Sequence, residues 1–213
     1  MDEDKITYDI LKVRAEYAKE ETDGKINNMV KDLAQKGIKV IIRSRIKTYE
    51  SAKEKTLRCK CTMEQLSDFL GYRIITMYEE DIPIVGNYID HRFVVKKTKD
   101  YLNNPKPLEM GGYCGAIHKK SDIQCMCDET PVSVPTEFQV VSLLMNANWE
   151  LDHATCYKCK DDNPNALEEN REILEHLKAI ETIYARRRKK AGKEECRIWP
   201  TSEPEQEVPS ESE

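Results

Sequence analysis

The chain has 213 residues, which is about one to one and a half average domains. Charged residues make up 34% of it and mean hydropathy is -0.71, yet strand-like apolar runs persist to about residue 157, which excludes a wholly disordered chain. No run approaches the roughly 18 consecutive apolar residues of a membrane span, and the opening MDEDKITYDI lacks the basic start and apolar stretch of a secretory signal. A cytoplasmic protein with no membrane partner is expected.

The formal net charge of -5 is unevenly placed. Segment 201–213 alone carries five Glu and no Lys or Arg. The rest is balanced, but residues 39–60 hold eight Lys/Arg against two Glu, and residues 92–106 hold five against one Asp. Two concentrated basic stretches on a neutral body suggest a localised anion site more than a general nucleic-acid coat.

In chain order, residues 6–36 have helical spacing and read as two amphipathic helices broken near Asp23-Gly24. Gly37 ends the second. Residues 38–48 form a β-branched strand, and Thr48 N-caps a helix over 48–58. Residues 61–70 read as a short helix or turn, 71–78 as a strand, 79–90 as a helix and 92–98 as a short strand. Turn formers fill a loop over 99–112, and segments near 113–125 and 131–142 form a strand pair. Helical spacing returns over 143–158 and over 165–190, where positions 173, 177, 180 and 184 make one apolar stripe. That stripe must pack on its own domain or join copies of the chain. From about residue 198 the composition predicts a disordered acidic tail. The whole predicts an α+β protein, a mixed β-sheet of about five strands flanked by helices with a long C-terminal helix.

Eight cysteines stand at 59, 61, 114, 125, 127, 156, 159 and 196. Without a secretory signal they are expected to be reduced. Cys156-x-x-Cys159 with His153 one turn earlier could form half a zinc site, but no second Cys-x-x-Cys completes a tetrad, and packed thiols are the expectation.

Three features carry chemistry. Arg45 and Lys47 share a strand face, and Ser51 and Lys55 share a helix face just beyond it, where free N-terminal amides would also favour an anion. This is either a polyphosphate cradle or a solvated basic surface. Asp68 and Arg73 flank Gly71 at the start of a strand, which suits a metal ligand beside a cation or an ordinary surface ion pair. Glu137 and Gln139 share one face of another strand. Two carboxylates from different strands are what Mg²⁺ takes alongside substrate phosphates.

The order of these motifs is more specific than any one of them. Arg45-x-Lys47-x-x-x-Ser51-x-x-x-Lys55, Asp68-x-x-Gly71-x-Arg73-Ile74, Lys99-Asp100-Tyr101 with Pro105-Lys106, Gly112-Tyr113 with His118, Glu137-x-Gln139, and Trp149 with His153 and Tyr157-Lys158 resemble the synthetase domain of RelA/SpoT homologues. The resemblance covers about residues 5–160 and is nearest to the single-domain small alarmone synthetases, some of them toxic. It implies a nucleotidyltransferase-like synthetase fold, with one synthetase domain over 1–197 and the tail over 198–213.

It further implies a GTP/GDP diphosphokinase, which moves the pyrophosphate of ATP to the 3′-hydroxyl of GDP or GTP and releases AMP. Arg45 and Arg73 would sandwich adenine, and Lys47, Ser51 and Lys55 would hold the ATP phosphates. Asp68 and Glu137 would bind Mg²⁺, leaving Asp68, Glu137, Arg73 and Lys47 as the catalytic set. Tyr113 would stack on the acceptor guanine, with Lys99, Lys106, His118 and Gln139 completing that subsite and GMP a further acceptor. The resemblance also implies a homo-oligomer, by analogy a tetramer built through terminal helices. Here Tyr113 and His118 are one residue further apart than the family's Tyr-x-Ser-x-His, Gly115 replaces the serine, and Leu108-Glu109-Met110 is extra. The donor side therefore matches more completely than the acceptor side. Two alternatives remain: a toxic relative that pyrophosphorylates the 3′ end of tRNA, with Arg186–Lys190 and Lys193 on the RNA backbone, and a non-catalytic nucleotide-binding protein.

Overall fold

The computed structural model describes residues 3–106, 115–155 and 165–191. The elements run α1 (Glu3–Gln35), β1 (Val40–Ile46), α2 (Tyr49–Cys59), β2 (Leu70–Thr76), α3 (Ile82–Arg92), β3 (Val95–Asp100), β4 (Ala116–Cys127), β5 (Thr130–Ser142), α4 (Leu143–Thr155) and α5 (Ala166–Ala191). Single 3-10 turns occupy Met63–Gln65 and Glu79–Asp81. The strands form one mixed sheet in the order β1-β2-β5-β4-β3, in which only β2 and β5 pair in parallel. This is the expected fold class. Among the described residues no helix is long and apolar enough to cross a membrane.

One face of the sheet is the main core. Tyr72 on β2 and Phe138 on β5 stack at 5.6 Å between ring centroids, and Phe93 packs on Phe138 at 4.6 Å. Helices α1 and α3 cover this face. Lys119 of β4 also points here, 5% exposed, because Asp90 of α3 receives its ammonium at 2.7 and 2.8 Å. The other face is apolar only at one end, where Ile75, Ala116 and Val141 pack against Met145 of α4.

Residues 6–36 are not two helices: α1 runs unbroken through Asp23-Gly24. The reason is tertiary. Asp23 accepts a hydrogen bond from the Tyr72 hydroxyl at 2.7 Å and another from Lys19 one turn back, so its side chain is engaged away from its own backbone. Gly37, with φ of 73°, ends the helix as expected. The other boundaries shift by a few residues, and β3 extends through Asp100 into the expected loop. The ends of the expected strand at 113 and helix at 158, Cys114, Cys156, Cys159 and the tail lie outside the described residues.

On helix α5 the first of the two alternatives for the apolar stripe, packing on its own domain, does not hold for most of it. Ile173, Ile180 and Tyr184 are exposed, and the helix instead docks through Leu174, buried Glu181 and Arg188. Arg188 bonds Asp81 at 2.8 Å and Glu80 at 3.2 Å and lies over the Tyr78 ring, which fixes the helix's rotation.

A Cβ on Gly24 would meet nothing within 4 Å. Gly24→Ala is therefore expected to stabilise the protein by about 0.5–1 kcal/mol, because it removes unfolded-chain entropy from a helical position. A lower denaturation midpoint would instead place a break in the helix there.

Candidate active site

Side chains alternate across a pleated strand, so paired residues from neighbouring strands line up on one face. The polar part of the open face consists of two such rows. One row runs Arg43, Arg73, Gln139, His118 and Lys99 across β1, β2, β5, β4 and β3. The next runs Arg45, Gly71, Glu137, Lys120 and Lys97. A β-bulge between Val95 and Lys97 brings Lys97 and Lys99 into these rows.

Beside the second row, the loop before β2 presents Asp68. Its Oδ2 receives Lys55 Nζ from α2 at 2.6 Å and Lys47 Nζ from the end of β1 at 3.2 Å, while its Oδ1 is buried with no hydrogen-bond partner. Burial by itself would push this carboxyl up, but the hydrogen bonds and charges of Lys55 and Lys47 outweigh it and hold it below the ordinary value. Arg45 lies across Gly71, whose added Cβ would meet the Arg45 side chain at 3.8 Å.

Arg73 donates to Gln139 Oε1 at 3.2 Å, to Asn146 Oδ1 at 3.1 Å and to Glu150 Oε1 at 2.8 Å, and its guanidinium lies over Trp149. Gln139 in turn donates to Glu137 Oε2 at 2.9 Å. His118 is 6% exposed, edge-on to both Tyr101 and Trp149, with Nδ1 3.9 Å from Glu137. Burial lowers its pKa to about 4; Glu137 opposes the shift, and Lys99, Arg73 and Lys120 reinforce it. The imidazole is thus neutral at physiological pH, and its contact with Glu137 is not an ion pair.

The structure brings together Arg45, Lys47, Lys55, Asp68, Arg73, Lys99, His118, Glu137 and Gln139. Ser51 sits exposed in the first turn of α2, where its amide is bonded by the Thr48 cap at 3.3 Å and the Ala52 amide by the Thr48 carbonyl at 2.9 Å. The expectation of free amides there is corrected to that extent. Lys106 is half-buried beyond the turn at 101–104, outside the two rows. Tyr113 lies outside the described residues.

Residues not assigned from the sequence also belong to the face. Arg43 lies one alternation before Arg45 and bonds Glu150 at 3.2 Å. Asn146, Trp149 and Glu150 reach the first row from one face of α4; Trp149 stands among the spaced motifs without an assigned role, while Asn146 and Glu150 carry no signal beyond their helical spacing of three and four. Lys120 hydrogen-bonds Ser67 beside Asp68. Cations outnumber carboxylates on this surface, which focuses an attractive field for a polyanion, while planar groups at Arg45, Arg73 and Trp149 suit flat rings.

The surface sets the carboxylates of Asp68, in the loop before β2, and of Glu137, on β5, inside a cationic frame, an arrangement suited to phosphate groups. The region found in RelA / SpoT proteins matches residues 44–162, more than half of the chain, and the protein belongs to that family. Small alarmone synthetase 2 from Bacillus subtilis superposes with a TM-score of 0.74 at 26% identity, over 85% of this chain and 97% of that one. A GTP pyrophosphokinase family protein from Streptococcus pneumoniae gives 0.75 at 19% identity over 94% and 100%. Small alarmone synthetase 1 from Bacillus subtilis, bound to its product pppGpp, gives 0.71 at 22% over 86% and 94%. The fold is that of the small alarmone synthetases. Comparison with curated proteins gave no match.

In the nucleotide-free and metal-free protein, a nitrogen-15 NMR titration is expected to find His118 neutral down to about pH 4 rather than 6.5. The folded value lies below the unfolded one, so the stability contributed by the neutral imidazole is complete above about pH 6.5 and lost as pH falls towards 4. A midpoint at 6.5 or above would mean that the Glu137 contact is an ion pair.

Proposed function

We propose that the protein is a magnesium-dependent pyrophosphokinase that transfers the pyrophosphate of ATP to the 3′-hydroxyl of GDP or GTP, its synthetase unit spanning residues 1–197. The observation carrying this reading is the pairing of Asp68 with Lys47 and Lys55 beside the Glu137 row. Family membership supports it, as do the structures of small alarmone synthetase 1 bound to pppGpp and to AMPCPP.

Arg45 and Arg73 hold adenine between their guanidinium planes, where stacking adds to hydrogen bonding. Arg73 is already oriented for this by Gln139, Asn146 and Glu150. Lys47, Ser51 and Lys55 take the ATP phosphates, so the two lysines exchange part of their contact with Asp68 for phosphate oxygens. A divalent cation fits the centre, because the buried Asp68 Oδ1 has no partner and hard oxygen donors are what magnesium takes. Asp68 and Glu137 would hold it, and when bound it supplies charge neutralisation across the phosphates.

In the transfer the acceptor 3′-oxygen bonds to the β-phosphorus as the bond from that phosphorus to the α–β bridging oxygen breaks. AMP leaves with the bridging oxygen, and the hydroxyl proton passes to Glu137. The neutral His118 and Gln139 orient the acceptor by hydrogen bonds, with Tyr113 stacking on its guanine and Lys99 and Lys106 near its phosphates. GMP is a further acceptor of the same stacking site. Against tRNA as the acceptor, Arg188 in the middle of the basic run is committed to Asp81 and Glu80.

Incubation with Mg²⁺ and ATP labelled on its γ-phosphate, offering GDP, GTP, GMP and deacylated tRNA separately, tests the reading. Label is expected on a guanosine nucleotide. Label only on tRNA would make the protein a translation-blocking relative, and label on neither would make it a binding protein. Asp68→Asn and Glu137→Gln are each expected to lower kcat by about 10²–10³-fold or more with the fold unchanged by circular dichroism. Near-normal turnover in either would remove that residue from the metal centre.

A second copy of the chain is the proposed partner, in a tetramer by resemblance to the family. The apolar stripes Ile6, Ile10, Val13 and Tyr17 on α1 and Ile173, Ile180, Ile183 and Tyr184 on α5 are all exposed. Light scattering is expected to give a multiple of 24.8 kDa, and Ile10→Lys with Ile180→Lys to shift it to the monomer. A monomeric wild-type protein would overturn the assembly.

A further inference from the structure

Lys120 is a lysine that the fold does not account for. Across the sheet it stands opposite Glu137, an opposite charge that favours the pairing, and opposite Lys97, a like charge that disfavours it. Among the described residues it makes no ion pair, and its ammonium donates to the neutral hydroxyl of Ser67. A hydroxyl is satisfied by any donor or by water, so that contact does not require a cation. The side chain is nevertheless half-buried. The neighbouring Lys119, by contrast, has a full structural explanation in Asp90 on the opposite face.

The position is informative. Ser67 precedes Asp68, which meets Lys47 and Lys55 from the β1 and α2 side. Lys120 approaches the same point from β4. An anionic group lying between Asp68 and Glu137 would therefore have ammonium groups on both flanks. Building on the function proposed above, we infer that Lys120 binds the pyrophosphoryl group of ATP that is transferred. It leaves Ser67 for a β- or γ-phosphate oxygen and completes from the sheet side the cationic cradle that Lys47 and Lys55 begin. The adenosine and α-phosphate end lies towards Arg45 and Arg73, out of its reach. Lys120 thus acts on the part of ATP that moves, whose charge redistributes in the transition state.

Two substitutions separate this role from a structural one. Ser67→Ala removes the hydrogen bond that Lys120 makes here and keeps the cation. Lys120→Met removes the cation and keeps the apolar stem. Calorimetry with Mg²⁺ and AMPCPP, and separately with AMP, is run on the wild type, both variants and Lys120→Arg. Lys120→Met is expected to weaken AMPCPP binding by about tenfold or more and to leave AMP unchanged, as loss of one charge-assisted contact implies. Lys120→Arg should recover most of it, and Ser67→Ala should stay within about threefold of wild type.

Turnover should follow the same order, with kcat/KM for ATP falling by about 10–10³-fold in Lys120→Met. Equal damage by Ser67→Ala and Lys120→Met would mean that the lysine merely props the loop before β2. Unchanged AMPCPP binding in Lys120→Met would also overturn the inference. A wild-type protein that binds AMPCPP, with Lys120→Met weaker, yet makes no guanosine product would sustain Lys120's role while sinking the proposed acceptor. A wild-type protein that binds no adenine nucleotide would sink both.

Discussion

The site depends on one constraint, the register of five strands. Because successive side chains alternate between faces, His118 and Lys120 reach the open face only while Lys119 and Ile117 are held on the other. A slip of one residue in β4 would turn those two side chains into the core and present an isoleucine and a lysine on the open face. What prevents it lies wholly behind the site. Tyr72, Phe138 and Phe93 interlock there, and Lys119 is received by Asp90 of α3, a contact with one correct address.

Gathering so many cations on one face works against folding, and the sheet contains its own partial remedy. Asp68 draws Lys47 and Lys55 together, and Glu150 draws Arg43 and Arg73 together. These carboxylates act as counterions to the clustered cations and hold them in position; in the function proposed above they compete with the phosphates of the substrate. Asp68 is the more committed of the two, being far more buried, and one of its oxygens is still without a partner. Glu150 is about half exposed, so its hold on the arginines is screened by solvent and easily exchanged.

Helix α4 gives the site its second wall. Its Met145 closes the apolar end of the open face, and the adjacent Asn146, with Trp149 and Glu150 one turn further on, meets Arg73 and His118. The same helix therefore both seals the second core cluster and orients the cation nearest to it. Helix α5 lies outside this wall, keyed by Arg188 in the buried Asp81 carboxylate, and presents apolar side chains outward. Its packing face is set by an ion pair, not by the most regular hydrophobic stripe in its sequence.

The amino-acid sequence by itself determined much of this protein. Strand and helix periods indicated the α+β class, the Thr48 cap and the Gly37 stop were readable residue by residue, and the spaced motifs named most of the charged residues that the fold gathers on the open face. These features are local, since alternation, capping and chain order need only near neighbours. The tertiary structure decided the rest, because it depends on residues far apart in the chain. Tyr72 kept α1 continuous through Asp23-Gly24, Asp81 set the rotation of α5, and the bulge in β3 turned Lys97 and Lys99 into line. Asn146 and Glu150 became parts of the site only because a parallel β2–β5 pairing carries α4 back over Arg73. Lys119 and Lys120 are the plainest case: two identical side chains, one residue apart, received by different faces of the sheet, one for the core and the other for the site.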